Sequence, residues 1–276
     1  MSWNASLDLN YEFKDNKTLV KYSHSGPLRI LKSLYPEGAA VCHNVLIHPP
    51  GGLVGGDTLE IDIKVHRNAH GLVTTPGATR FYRSKGEPAE QSMHAHLAPG
   101  ARLEWLPMES IAYNLCSAKN KAVFHLEPGA EVLGWDITAL GLPSANKPFT
   151  QGSFTQHLEI PGVWRELACL DATDHRLLNG PLGLAGYRCL ATMFFLSGQA
   201  INSERRDLAL ANARSSFNDQ TLHMKCGATS PNSHVILMRV LSAGVEPAMN
   251  LLKKLRASWR HCMWNMQAPA PRTWFT

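Results

Sequence analysis

Two groups of residues carry metal-ligand chemistry. Cys42, His43 and His48 lie within one short stretch, and His94-x-His96 sets two imidazoles two positions apart. Thiolate and imidazole bind divalent transition metals, and a spacing of two on a strand puts both rings on one face. A structural zinc site needs four such ligands, and neither group shows its third and fourth. Lone polar residues on strands and turns are the simpler reading of both. The chain has 6 cysteines and 13 histidines. No two cysteines form a Cys-x-x-Cys pair, which argues against a zinc knuckle. Asp, His and Ser are all present, so a hydrolase is conceivable. There is no Gly-x-Ser-x-Gly elbow and no His-Glu-x-x-His helix, and no cysteine has a recognisable nucleophile signature.

Two loops stand out. His48-Pro49-Pro50-Gly51-Gly52-Leu53-Val54-Gly55-Gly56-Asp57 combines stiff prolines with permissive glycine pairs. It lacks the Lys-Ser/Thr of a phosphate loop, and a strand pattern rather than a helix follows, so nucleotide binding is disfavoured. Thr74 to Ser84 places Arg80, Phe81, Tyr82 and Arg83 after a Pro-Gly turn. Arg and Tyr are enriched where proteins touch one another, which makes this a candidate partner surface.

The elements that must position these residues are mostly strands. Thr58 to Val65 alternates polar and apolar, and Ala101 to Leu106 and Ala130 to Ile137 alternate again. The last two open alike, Pro99-Gly100-Ala101 and Pro128-Gly129-Ala130, a turn followed by a strand. Stacked β coils or a β-sandwich would both satisfy this recurrence. The patterning predicts strands over most of 15–200 and helix near 204–216 and 246–262. Leu208 and Ala211 mark the apolar side of the first helix. Met249, Leu252, Leu255 and Trp259 mark an amphipathic stripe on the second, whose face is a further candidate contact surface.

The 276 residues, 44% hydrophobic and 18% charged, suit a single domain spanning 1–276 with a substantial core. The net charge of +5 is not gathered into a run. Arg205-Arg206 and Lys253-Lys254-Leu255-Arg256 read as solvated helix faces, not as a nucleic-acid surface. No signal peptide or membrane-length apolar run is seen, so a cytoplasmic protein with reduced thiols is expected.

Taken in order, these segments resemble the UreD (UreH) family of urease accessory proteins. The resemblance covers nearly the whole chain. It is carried by Gly26-Pro27-Leu28-Arg29, Tyr35-Pro36-Glu37-Gly38, Cys42-His43, the His48–Asp57 loop, Thr74 to Ser84, Leu103-Glu104-Trp105-Leu106-Pro107, Gly134-Trp135-Asp136, Leu140-Gly141 and the closing Pro271-Arg272-Thr273-Trp274-Phe275-Thr276. Two stretches depart from it, Ala112 to Cys116 and Arg176 to Tyr187. The resemblance implies a mainly β fold, a β-helical stack of short strands with two α-helices in the C-terminal third. It also implies a non-enzymatic scaffold or chaperone that joins UreF and the GTPase UreG on apo-urease and assists nickel insertion. No cofactor would be held tightly, and Ni²⁺ would pass only transiently. A purely structural β-helical interaction scaffold is the alternative.

A conduit must hold its ion weakly and at several points. Carboxylates and water suit that better than a Cys/His cage. Asp57, Glu60, Glu104, Glu109, Asp136 and Glu166 are therefore preferred over Cys42, His43 and His48 as waypoints, with Asp136 best placed after Trp135.

Overall fold

The computed structural model describes residues 2–217 and 224–275. Thr276, which ends the C-terminal motif, lies outside them. The chain is mainly β and built of stacked coils, as expected. Three successive coils each give one strand to each of two facing sheets. They are Thr58–Val65 with His70–Thr74, Ala89–Leu97 with Arg102–Leu106, and Ser117–Leu126 with Glu131–Leu142. Each strand lies parallel on its predecessor, in register.

The corners between sheets repeat. Asn68, Gly100 and Gly129 take positive φ of 61°, 73° and 84°. The Arg102 N–H donates to Ala69 O at 2.9 Å, and the Glu131 N–H to Ala101 O at 3.0 Å, so one corner rests on the last. A Cβ at residue 100 would come within 2.4 Å of Asn68 Oδ1. The Pro-Gly pairs are thus stacked corners, with glycine where both the dihedral and the close approach require it.

The first sheet runs in the order Trp164–Asp171, Ser153–Ile160, the three coil strands, Asn4–Lys14, Lys17–Ser25, with antiparallel pairing only at its two edges. Its outer face meets solvent. Along Thr58–Val65, Leu59, Ile61, Ile63 and Val65 are buried while Glu60, Asp62 and Lys64 are exposed. The second sheet is different. Nearly every residue of Arg102–Leu106 and Glu131–Leu142 is buried, on both faces. One apolar cluster fills the space between the sheets, and another lies between the second sheet and the helices. The alternation read in these two strands therefore does not divide core from solvent; it divides one core from another.

Three helices are described. α1 (His175–Asn179) is a short turn of helix capped by Asp174, with no counterpart in the sequence reading. α2 (Ser203–Phe217) starts where Asn202 Oδ1 accepts the N–H groups of Glu204 and Arg205 at 2.8 and 3.3 Å. It buries Ala209, Leu210 and Ala213. Leu208 and Ala211 face outward instead, because the helix seats a narrow side of small residues against its neighbour, where the Trp259 indole N–H donates to Ala209 O at 3.0 Å. α3 (Val245–Trp264) buries Met249, Leu252, Leu255 and Trp259 as the stripe predicted.

α3 is fastened to the second sheet by charge as well as by apolar packing. Glu104 is fully buried, and its carboxylate accepts from Arg256 Nε at 2.8 Å. Arg260 Nη1 lies 3.3 Å away, and His70 Nε2 stands at 3.2 Å. Arg260 also pairs with Glu37, which contacts His43 at 2.7 Å. Burial alone would raise the Glu104 carboxyl, but Arg256, His70 and Arg260 outweigh it and hold the group well below the usual carboxylate range. Arg256 continues to the carbonyls of Ala268 and Pro269, and Trp274 donates to Thr74 Oγ1 at 3.0 Å, so the C-terminal motif is pinned by the same cluster.

Glu104→Gln removes the anion from between two buried guanidinium groups. Leaving buried charge unpaired costs roughly 3–5 kcal/mol. The expected outcome is a clear drop in the urea midpoint at neutral pH, while Glu60→Gln on the solvent face leaves the midpoint within about 0.5 kcal/mol of the parent.

Candidate functional site

Between the two sheets a polar layer runs through a largely apolar core. Gln91, Asn120 and Gln156 occupy one row across three neighbouring parallel strands, paired in register, and all three are buried. Each sits at the inward parity of its strand, among residues such as Met93, Ala118 and Phe154. The facing sheet answers with a second row, Asp136, Thr192 and Arg239, also paired in register. The rows meet. Gln91 Nε2 donates to Asn120 Oδ1 at 3.1 Å, and Asn120 Nδ2 donates to Asp136 Oδ2 at 3.0 Å and to Gln156 Oε1 at 3.2 Å. The Thr138 hydroxyl donates to Asp136 Oδ1 at 3.3 Å. At the far end the Thr192 hydroxyl reaches Glu166 at 3.5 Å, and Arg239 closes on the same carboxylate.

Both ends approach the surface. Arg239 is exposed and Glu166 half-buried. Gln91 lines a cavity of about 250 Å³ together with His48, Leu59, Thr75 and Arg80, walled by the Gly51-Gly52 loop. Burial pushes the Asp136 carboxyl up to about 7, and the nearby Glu166 charge adds to it; hydrogen bonds from Thr138, Gln156 and Asn120 work the other way and do not offset the desolvation. The layer thus offers amide, hydroxyl and carboxylate oxygens, which are hard donors for a divalent cation.

Of the sequence-derived acids, the structure brings Asp136 and Glu166 into this layer. The other four lie elsewhere. Glu104 is the anion of the helix-fastening cluster, with both oxygens already engaged by cations. Asp57 accepts the N–H groups of Trp3 and Val54 at 2.7 and 2.8 Å and so closes its own loop. Glu60 is on the solvent face of the first sheet. Glu109 is half-buried in the link between two strands, and its charge helps to raise the buried Cys189 thiol. Cys42 is buried, 3.6 Å from Asn44 Oδ1, and His43 is held by Glu37, so they point into separate networks from His48. Among the described residues no group of three His, Cys, Asp or Glu side chains stands ready to hold a metal ion. No helix among them is long and apolar enough to cross a membrane.

The partner candidates also divide. Arg80 and Arg83 are exposed, and Tyr82 is half-buried against Tyr113, ring centres 4.8 Å apart. Phe81 and Trp259 are fully buried in the two cores and cannot meet a partner. Their parity points them inward, where strand and helix need bulk.

A family model described as UreD urease accessory protein matches residues 4–275. The protein named Urease accessory protein UreD from Variovorax paradoxus is 54% identical over 276 residues, covering all of both chains. Its namesake from Albidiferax ferrireducens is 55% identical over 274 residues, 99% of each chain. That from Leptothrix cholodnii is 49% identical over 278 residues, again the full length of both. These relatives are named as accessory proteins, not as enzymes.

The raised Asp136 fixes a pH dependence. Its folded value of about 7 lies above the ordinary value of ~3.9, so between the two the folded state binds more protons than the unfolded one. The group therefore subtracts stability as pH rises through that window, by on the order of 4 kcal/mol once fully ionised. Asp136→Asn mimics the protonated form. Its unfolding midpoint is expected to exceed the parent's at pH 8 and to converge with it near pH 4, as read by urea titrations across pH.

Proposed function

The chain belongs to the UreD family of urease accessory proteins, and from that membership we propose that it is a non-catalytic partner in urease maturation. It acts in the cytoplasm, binds UreF, the GTPase UreG and apo-urease, and hands Ni²⁺ along the polar layer between its sheets. The observation that carries this reading is the pair of facing polar rows centred on Asp136. A passage needs successive weak holds, and neutral amides and hydroxyls flanking a carboxyl supply them. Asp136 holds its proton up to about 7, so near neutral pH the carboxyl can exchange that proton for a cation. Glu166 offers the second anionic hold, beside Arg239. Ni²⁺ is cargo in this account, not a resident cofactor.

Arg80, Tyr82 and Arg83, beside the glycine-rich cavity, are the partner surface on this proposal. Exposed arginines on an ordered loop recognise carboxylates at little ordering cost.

Two experiments test the proposal. Asp136→Asn and Glu166→Gln are expected to lower urease activation several-fold in cells grown at limiting nickel, each variant still co-purifying with UreF and apo-urease. The deficit shrinks in excess nickel, because mass action offsets a weaker waypoint. Activation at the parental rate under limiting nickel sinks the passage and leaves the chain a bridge between partners. Separately, Arg80→Glu with Arg83→Glu is expected to reduce co-purification with the partner proteins about tenfold at unchanged melting temperature. Undiminished co-purification places the interface elsewhere.

A further inference from the structure

The polar layer leaves unused the His94-x-His96 pair, which lies on the opposite face of the first sheet. The structure supplies the third imidazole that the sequence did not show. His125 is paired directly with His96 on the neighbouring parallel strand. The His96 and His125 rings are stacked, centres 4.3 Å apart and planes within 1°, and His94 lies 6.4 Å from His125. Val123, paired with His94 and sharing its face, is buried, so the rings stand over an apolar floor. At the end of these strands opens a cavity of about 470 Å³, lined in part by His96, His125 and His234. His234 Nδ1 lies 3.0 Å from Ser197 O. A carbonyl only accepts, so that nitrogen carries a hydrogen.

We propose that His94, His96 and His125 form a second, surface site for a divalent transition-metal ion of the imidazole-preferring class, its coordination completed by water. Three imidazoles on two adjacent strands favour a borderline ion such as Ni²⁺ or Zn²⁺ over Mg²⁺ or Ca²⁺. The charged groups facing the cluster are mixed. Asp62 is paired with His94 and Lys64 with His96; Lys121 acts on His94 and His125, and Glu159 acts on His125. Two lysines so close keep the affinity modest. Parallel rings aim their lone pairs along parallel lines, so binding turns the rings toward a common point; the site closes on its ion and is not preformed. It shares no residue with the passage through Asp136 and stands whether or not that passage exists.

The test uses the purified full-length chain carrying Asp136→Asn, so that the layer contributes little. Ni²⁺ is titrated calorimetrically into this protein and into the same protein with His96→Asn and His125→Asn. The pair of substitutions is expected to remove one bound ion, or to weaken it at least tenfold, at unchanged melting temperature. Imidazole NMR on the otherwise unaltered chain checks the same point without these variants. Substoichiometric Ni²⁺ is expected to broaden His94, His96 and His125 first and to spare buried His43 and His70, while Mg²⁺ does nothing. Superimposable isotherms, or exposed His175 broadening as early as the cluster, overturn the proposal.

Discussion

Parallel, in-register stacking of coil on coil is the constraint from which the rest of this molecule follows. Once Gly100 rests on Asn68 and the next corner rests on that, residue i of one strand has a fixed neighbour on the next. A one-residue slip would turn every side chain to the other face. The register therefore writes rows across the sheet, and a row takes the character of its members. Leu59 and its neighbours make core. Gln91, Asn120 and Gln156 make a buried line of amides. His96 and His125 make a pair of imidazoles on the solvent side. Three different chemistries come from one geometric rule.

The second sheet carries a heavier demand, because both its faces are covered. A permanent charge on its doubly covered central strands must bring its partner into the interior. Glu104 does so with Arg256 and Arg260, and Arg260 in turn holds Glu37 from the loop before the first coil. Helix, sheet and N-terminal segment meet in one network. Such a network adds less to stability than its pairs suggest, since desolvation offsets much of the attraction. It does fix how α3 and the C-terminal segment sit: an arginine that leaves its carboxylate has nowhere else in an apolar layer to go.

How far this was legible from sequence depends on how many neighbours a residue has to satisfy. Thr58–Val65 has one wet face and one dry face, and its alternation read correctly. The stripe on α3 did too, since a long helix against one sheet shows a clean period. Glu104 did not, because polar-apolar alternation cannot say whether the polar side meets water or a helix arriving from much later in the chain. Phe81 and Trp259 failed as contact residues for the same reason, large apolar groups being core far more often than surface. α2 was misread by face because Ala209 and Ala213 are small enough to admit a close neighbour and so carry little hydrophobic signal. The amide row left a trace that was passed over: a Gln or Asn at the inward parity of three strands in succession is costly in a core unless the three hydrogen-bond together. Asp136 was singled out through its motif, and the residues it hydrogen-bonds would have been singled out through that parity.

On the proposed function, three carboxyls differ in the way a transfer point should differ from a fastening or a surface charge. Glu104 is surrounded by cations, so its charge is permanent and its lone pairs are spent. Glu60 stands in water on an exposed strand face, where a divalent ion gains little over its own hydration. Asp136 is buried among neutral donors, and the nearby charge of Glu166 works against its ionisation. Its carboxyl is costly to ionise without a counter-charge, and a divalent cation is the counter-charge that the surrounding oxygens also suit. On the proposed function, the passage works because the carboxyl is costly to ionise alone and its neighbours are neutral. A deeper electrostatic well there would trap the ion, and a carboxyl paired like Glu104 would never admit it.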